Sequence, residues 1–142
     1  MMLMKTKAVQ EGKITMKILL IAHGEFTTYL LKSAEMILGT QDENSVAAIN
    51  FYPQDSMEAL KKRVTEKLED FQGEDILFLT DLRGGTPCNV SFLLSKQYKI
   101  HLLTGLNLTM LLEALLSKDE AITDELIEKI AAAGRDGVQV IK

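Results

Sequence analysis

Only two histidines occur in the 142 residues, and one of them, His23, stands where an apolar run stops. The run Ile18-Leu19-Leu20-Ile21-Ala22 is too short for a buried helix and has the composition of a strand buried on both faces of a parallel sheet. A second such run, Ile76-Leu77-Phe78-Leu79-Thr80, ends as abruptly at Asp81. A carboxylate beside a histidine accepts the proton of one ring nitrogen, which fixes the tautomer and leaves the other nitrogen as a nucleophile. The turn Leu82-Arg83-Gly84-Gly85-Thr86-Pro87 follows Asp81 directly. Its two glycines let the backbone approach a ligand closely, and the helix start behind them presents unpaired N–H groups and a partial positive charge. Such a turn is a site for a phosphate or phosphoryl group, to which Thr86 adds a hydroxyl donor and Arg83 a charge. Taken singly, each feature has an ordinary structural explanation: a packed histidine, a turn-forming aspartate, a capped βα loop.

Other phosphate chemistries lack their parts. There is no G-x-x-x-x-G-K-[ST] segment and no G-x-G-x-x-G after the first strand, so nucleotide and dinucleotide binding have no loop. A phosphoaspartate receiver would use Asp81, and Thr104 at the end of a later strand suits it. It also needs a pair of acids at the end of the first strand, where Ala22-His23 stands. His23 and Asp81 are two ligands, too few for a metal site, and no metal or other cofactor is expected.

The elements that position these residues follow from hydrophobic period and punctuation. A helix is expected from Phe26 to Leu38, with Phe26, Leu30, Ala34 and Ile37 inward and Gly39 as its stop. A strand follows at Val46 to Phe51, ended by Pro53. Asp55, with Glu58 three residues on, reads as a capping box for a helix whose face is Met57, Leu60, Val64, Leu68 and Phe71, closed by Gly73. After the strand Asp75 to Thr80, Thr86 reads as an N-cap and Pro87 as the first residue of a helix to Lys96. A fourth strand spans Lys99 to Leu103, and helices follow from Asn107 to Ser117 and from a Thr123 cap to Gly134, with Leu126, Ile127 and Ile130 inward. The tail Gly137-Val138-Gln139-Val140-Ile141 alternates and reads as a fifth, edge strand. His101 falls within the fourth strand and reads as structural; Cys88, early in a helix, reads as a small buried residue. Four alternations of strand and helix predict an α/β fold: a doubly wound open sheet, mostly parallel, of order about 2-1-3-4. In such a sheet the order reverses between the first and third strands, so His23 and Asp81 face one crevice.

Composition sets the outer limits. The net charge of −4 and pI near 5.2 disfavour a nucleic-acid partner. The single cysteine excludes an internal disulfide and a cysteine-based zinc site, and fits a reducing cytoplasm. No apolar run has the length of a membrane span, and no signal peptide is expected because Lys17 interrupts the N-terminal apolar run. Residues 1–15 are basic, with Lys5, Lys7 and Lys13 against Glu11, and have no period. They are expected to be a disordered arm or a start-site artefact, with Met16 the natural start and residues 16–142 the domain.

The sequence resembles the IIA domains of the mannose family of the bacterial phosphoenolpyruvate-dependent sugar phosphotransferase system. The likeness rests on Ile21-Ala22-His23-Gly24, on Leu79-Thr80-Asp81-Leu82-Arg83-Gly84-Gly85-Thr86-Pro87-Cys88-Asn89, on Gly105 to Glu113, and on Gly134-Arg135-Asp136-Gly137-Val138. Family members often carry an aromatic residue in place of Arg83 and a proline in place of Thr109. The resemblance implies a cytoplasmic phosphohistidine carrier without cofactor. His23 would take a phosphoryl group from the phosphocarrier HPr and pass it to a separate IIB protein, and the IIC and IID membrane components would be served indirectly. It implies Asp81 as the residue that orients His23, Thr86 at the phosphoryl site beside Gly24, Arg83, Gly84 and Gly85, and a homodimer that exchanges its C-terminal strand. The same fold also serves in regulatory or sensor modules and in the phosphotransfer subunit of dihydroxyacetone kinase, which is the alternative reading.

Overall fold

The computed structural model describes residues 16–72 and 75–142. The expected N-terminal arm and the helix stop at Gly73 lie outside the described residues. Among the rest, strands β1 (Lys17–His23), β2 (Val46–Phe51), β3 (Ile76–Thr80) and β4 (Ile100–Thr104) alternate with helices α1 (Phe26–Leu38), α2 (Met57–Asp70), α3 (Thr86–Leu94), α4 (Leu108–Leu116) and α5 (Asp124–Asp136). The four strands are all parallel, in the order β2-β1-β3-β4.

Successive side chains of a strand point to opposite faces, and both faces here are covered. Ile18 and Leu20 of β1, with Leu77 and Leu79 of β3, pack under Ala34 of α1, Met110, Leu111, Ala114 and Leu115 of α4, and Leu126 and Ile130 of α5. Leu19 and Ile21, with Ile76 and Phe78, pack under Leu60, Val64 and Leu68 of α2 and Val90 and Leu94 of α3. Apolar character on both faces is why β1 and β3 read as continuous runs. They are the inner strands, and connections leave them in opposite directions across the sheet. The switch point therefore lies above the carboxyl ends of β1 and β3.

Several local expectations shift. The cap of α2 is Ser56, whose hydroxyl accepts the Ala59 N–H, whereas Asp55 accepts the Tyr52 N–H (2.8 Å) and the Arg63 guanidinium (3.0 Å). The cap of α3 is Gly85 and not Thr86, which is the first helical residue. Gly134 does not end α5. It is buried within it, and a Cβ there would stand 3.0 Å from Met110, so the glycine sets how closely α5 meets α4. In α1 the buried face runs through Thr27 and Ala34, leaving Phe26 and Ile37 exposed. Thr27 is satisfied there because its hydroxyl donates to Asn50 Oδ1 (2.7 Å).

The C-terminal residues 138–142 form no strand and pair with none of the four described strands. Val138, Val140 and Ile141 are 83%, 83% and 87% exposed. Among the described residues no helix is long and apolar enough to cross a membrane.

Candidate functional site

β1 delivers His23 to the carboxyl edge of the sheet, and the turn after β3 delivers Asp81 beside it. Ile21 is the last residue of β1 in register with β3, opposite Thr80. Beyond that point the ladder is continued by a side chain: Asp81 Oδ2 accepts the backbone N–H of His23 at 3.1 Å. The same oxygen lies 2.8 Å from His23 Nδ1. An oxygen already receiving an N–H is best served by a second donor, so the contact favours the tautomer with its proton on Nδ1 and a bare Nε2. The other oxygen of the carboxylate, Oδ1, is buried and has no hydrogen-bond partner among the described residues. The imidazole is 47% exposed and the carboxylate 19%, so the ring is open to solvent on one side and its partner is sheltered.

The glycine turn lies against the ring. Gly85 N–H donates to Leu82 O (3.1 Å), closing a turn in which Gly84 sits at φ +85°. Only glycine holds that position without strain. Gly85 itself has φ −75°, open to any residue, but a Cβ on it would fall 2.8 Å from His23 Cε1 and 3.5 Å from Nε2. Glycine is required at this place for proximity to the imidazole. As the cap of α3, Gly85 has no side chain to occupy the helix's first amides, and Pro87 contributes none. The first intrahelical bond is Asn89 N–H to Gly85 O, which leaves the N–H groups of Thr86 and Cys88 at the helix start without helical partners. Asn89 also braces the turn, its side chain donating to Gly84 O (3.1 Å).

Of the residues read from the sequence, His23, Asp81, Gly84, Gly85 and Thr86 therefore converge on one edge. Gly24 is there too, at φ +61°, giving its N–H to Phe51 O at 2.7 Å. Arg83 is exposed at the corner of the turn and its guanidinium pairs with no described carboxylate. Cys88 is buried on the inner face of α3. His101 lies away from the site, half-buried on β4, with Nε2 buried and without a partner among the described residues. Among the described residues no three His, Cys, Asp or Glu side chains are grouped to hold a metal ion.

The other wall was not foreseen. Phe51, the last residue of β2, is in register with His23, and its ring meets the imidazole edge-on at 5.8 Å between centroids. Around it Asn50 accepts from Thr27 and Thr28, donates to Tyr52 Oη (3.1 Å), and through its carbonyl accepts Arg63 (2.8 Å); Tyr52 in turn donates to Glu25 (3.2 Å). Arg63 is held by Asp55, whose carboxyl lies below its ordinary range, chiefly because of the Tyr52 N–H and then of Arg63. The clue in the sequence was that strands of a parallel sheet share one carboxyl edge, so the residue before Tyr52-Pro53 stands level with His23.

Fold and site together define a doubly wound α/β chain with a histidine–aspartate pair at its switch point and an anion-ready helix start beside it. The family model for the PTS system fructose IIA component, EIIA-man, matches residues 17–131. The chain is 31% identical over 126 residues to the fructose-specific EIIA component of the Bacillus subtilis (strain 168) phosphotransferase system, covering 87% of this chain and 84% of that protein. It is 33% identical over 133 residues to the mannose-specific EIIAB component of Escherichia coli (strain K12), covering 91% of this chain but only 40% of that relative's length. A crystal structure of the phosphotransferase system component EIIA from Streptococcus agalactiae superposes with a TM-score of 0.81 at 39% identity, over 88% of this chain and 96% of that one. The chain belongs to the mannose-type IIA family of the sugar phosphotransferase system.

Proposed function

We propose that the chain is a phosphohistidine carrier, loaded at Nε2 of His23 by phospho-HPr and unloaded onto a IIB domain that serves sugar uptake. The observation that carries the reading is the 2.8 Å contact between His23 Nδ1 and Asp81 Oδ2, which leaves Nε2 bare beside the glycine turn. In the transfer, the Nε2 lone pair forms the new N–P bond while the bond from phosphorus to the donor's nitrogen breaks, and the donor leaves with that electron pair. The ring becomes positively charged as it attacks, and Asp81 stabilises that charge while keeping the Nδ1 proton in place. The incoming phosphoryl oxygens meet the helix start of α3, where the Thr86 and Cys88 N–H groups and the Thr86 hydroxyl are candidate donors, with the exposed Arg83 of the same turn as a further cation. A loose phosphoryl transition state asks mainly for alignment and charge stabilisation, and an open face admits two successive partners in line.

The same reading places the chain in the cytoplasm, where HPr and IIB act, and upstream of the IIC and IID membrane components. It also gives the exposed apolar tail 138–142 a place as a strand exchanged in a homodimer. The test is loading with phosphoenolpyruvate, the general phosphotransferase enzyme and HPr. The wild type and His101→Ala should take up label and His23→Ala should not; label retained by His23→Ala would refute the carrier site.

A further inference from the structure

We infer that Phe51 is a positioning residue for His23, closing the side of the imidazole that Asp81 and Gly85 leave open; the inference rests on the phosphohistidine reading. The ring is almost half exposed and, among the described residues, is held by one side-chain hydrogen bond. One such bond fixes where Nδ1 is but leaves the ring able to pivot about it, which swings Nε2 through an arc. The loop after β3 blocks one sense of that motion through Gly85, which leaves no room for even a Cβ against Cε1. β1's other neighbour, β2, blocks the opposite sense: Phe51 meets the ring at 5.8 Å and an interplanar angle of 78°, the edge-to-face arrangement that aromatic pairs favour.

Phe51 is itself anchored. Its carbonyl accepts the Gly24 N–H at 2.7 Å, which ties it to the residue following His23. The preceding Asn50 is held by Thr27, Thr28, Tyr52 and Arg63. The phenyl ring is half-buried at the end of an outer strand, against the edge of the cluster under α2 and α3 but outside its fully buried residues, so shortening it opens the rim of the site first. A carrier has a particular need for such a wall, because the nucleophilic nitrogen must be aligned for the donor and again, as leaving group, for the acceptor.

The experiment compares wild type, Phe51→Leu, Phe51→Met and Phe51→Tyr. Rates of loading from phospho-HPr are resolved into kcat and KM, and the His23 ring nitrogens are followed by 15N NMR in the unphosphorylated protein. Phe51→Leu and Phe51→Met should lower kcat about tenfold with KM for phospho-HPr unchanged, and Phe51→Tyr, which keeps the aromatic edge, should restore it. In the same variants the Nδ1–H signal should broaden or show mixed tautomers. Wild-type kcat together with one sharp Nδ1–H tautomer in both aliphatic variants would overturn the inference. The NMR arm needs no phosphoryl donor, so it tests Phe51 even where the wild type is not loaded; absent loading with an ordered ring would sink the carrier reading alone.

Discussion

Gly85→Ala isolates the chemistry from the fold. The backbone at Gly85 (φ −75°, ψ 163°) suits alanine, so no conformational strain is introduced. The new methyl would lie 2.8 Å from His23 Cε1 and 3.3 Å from Leu82 O. Carbon atoms normally rest about 3.5–4.0 Å apart, so the imidazole must retreat by about 0.7–1 Å. The retreat is away from the loop that also carries Asp81, which stretches the 2.8 Å contact with Nδ1 toward ~3.5 Å, beyond useful hydrogen bonding. A misplacement of about 1 Å costs on the order of 10²-fold in rate, and that is the loss expected in transfer from phospho-HPr. Stability should fall only modestly, since the entropic gain of Gly→Ala, about 0.4–1 kcal/mol, partly offsets the strained contact, the lost hydrogen bond and alanine's poorer capping. Rapid-quench transfer kinetics and a thermal melt on the same sample give both numbers. A variant that transfers within about threefold of wild type would refute the claim that the glycine exists to admit the imidazole.

Asp81→Asn should slow transfer sharply, though by less than the ~10⁴ known for the serine-protease pair, since a loose phosphoryl transition state asks less of its nucleophile. The fold should survive in urea melts, because Oδ1 already lacks a partner among the described residues and the amide oxygen can still accept the His23 N–H. Asp55→Ala should destabilise the chain at neutral pH. The folded carboxyl is depressed below 3.8, so its contribution is complete above that value and lost as pH falls through the lower folded one; denaturant midpoints of the two proteins should converge in acid. Phe78→Ala, which empties a fully buried position in β3, should cost about 3–5 kcal/mol. Deleting Gly137 to Lys142 should convert dimer to monomer or aggregate in sedimentation, and a chain started at Met16 should match the full one in melting temperature; a stable dimer without the tail would end the strand-exchange proposal.

The inner strands were legible because burial on both faces leaves runs that only a central parallel strand explains, and their ends identify His23 and Asp81 without knowledge of packing. Caps were harder. Asp55 and Ser56 are both good capping residues in succession, and which one turns its oxygen to the helix depends on Tyr52 and Arg63, which claim Asp55. Likewise Thr86 has the chemistry of a cap, yet the turn closed by Gly85 and Leu82 starts the helix one residue earlier. The face of α1 was misread because Thr27 is polar by type but satisfied by Asn50, a contact between elements that no period encodes. Phe51 was missed for a related reason: it looked like the end of an apolar strand, and only the register of β2 against β1 sets it on His23.

The most direct test is to load the chain from phospho-HPr and determine which atom carries the group, by 31P and 15N NMR with acid and alkali challenge of the label. One phosphoryl group per chain is expected, on Nε2 of His23, stable to alkali and lost in acid, with Nδ1 still facing Asp81. An alkali-labile acyl phosphate on Asp81, or a phosphoryl group on Nδ1, would contradict it.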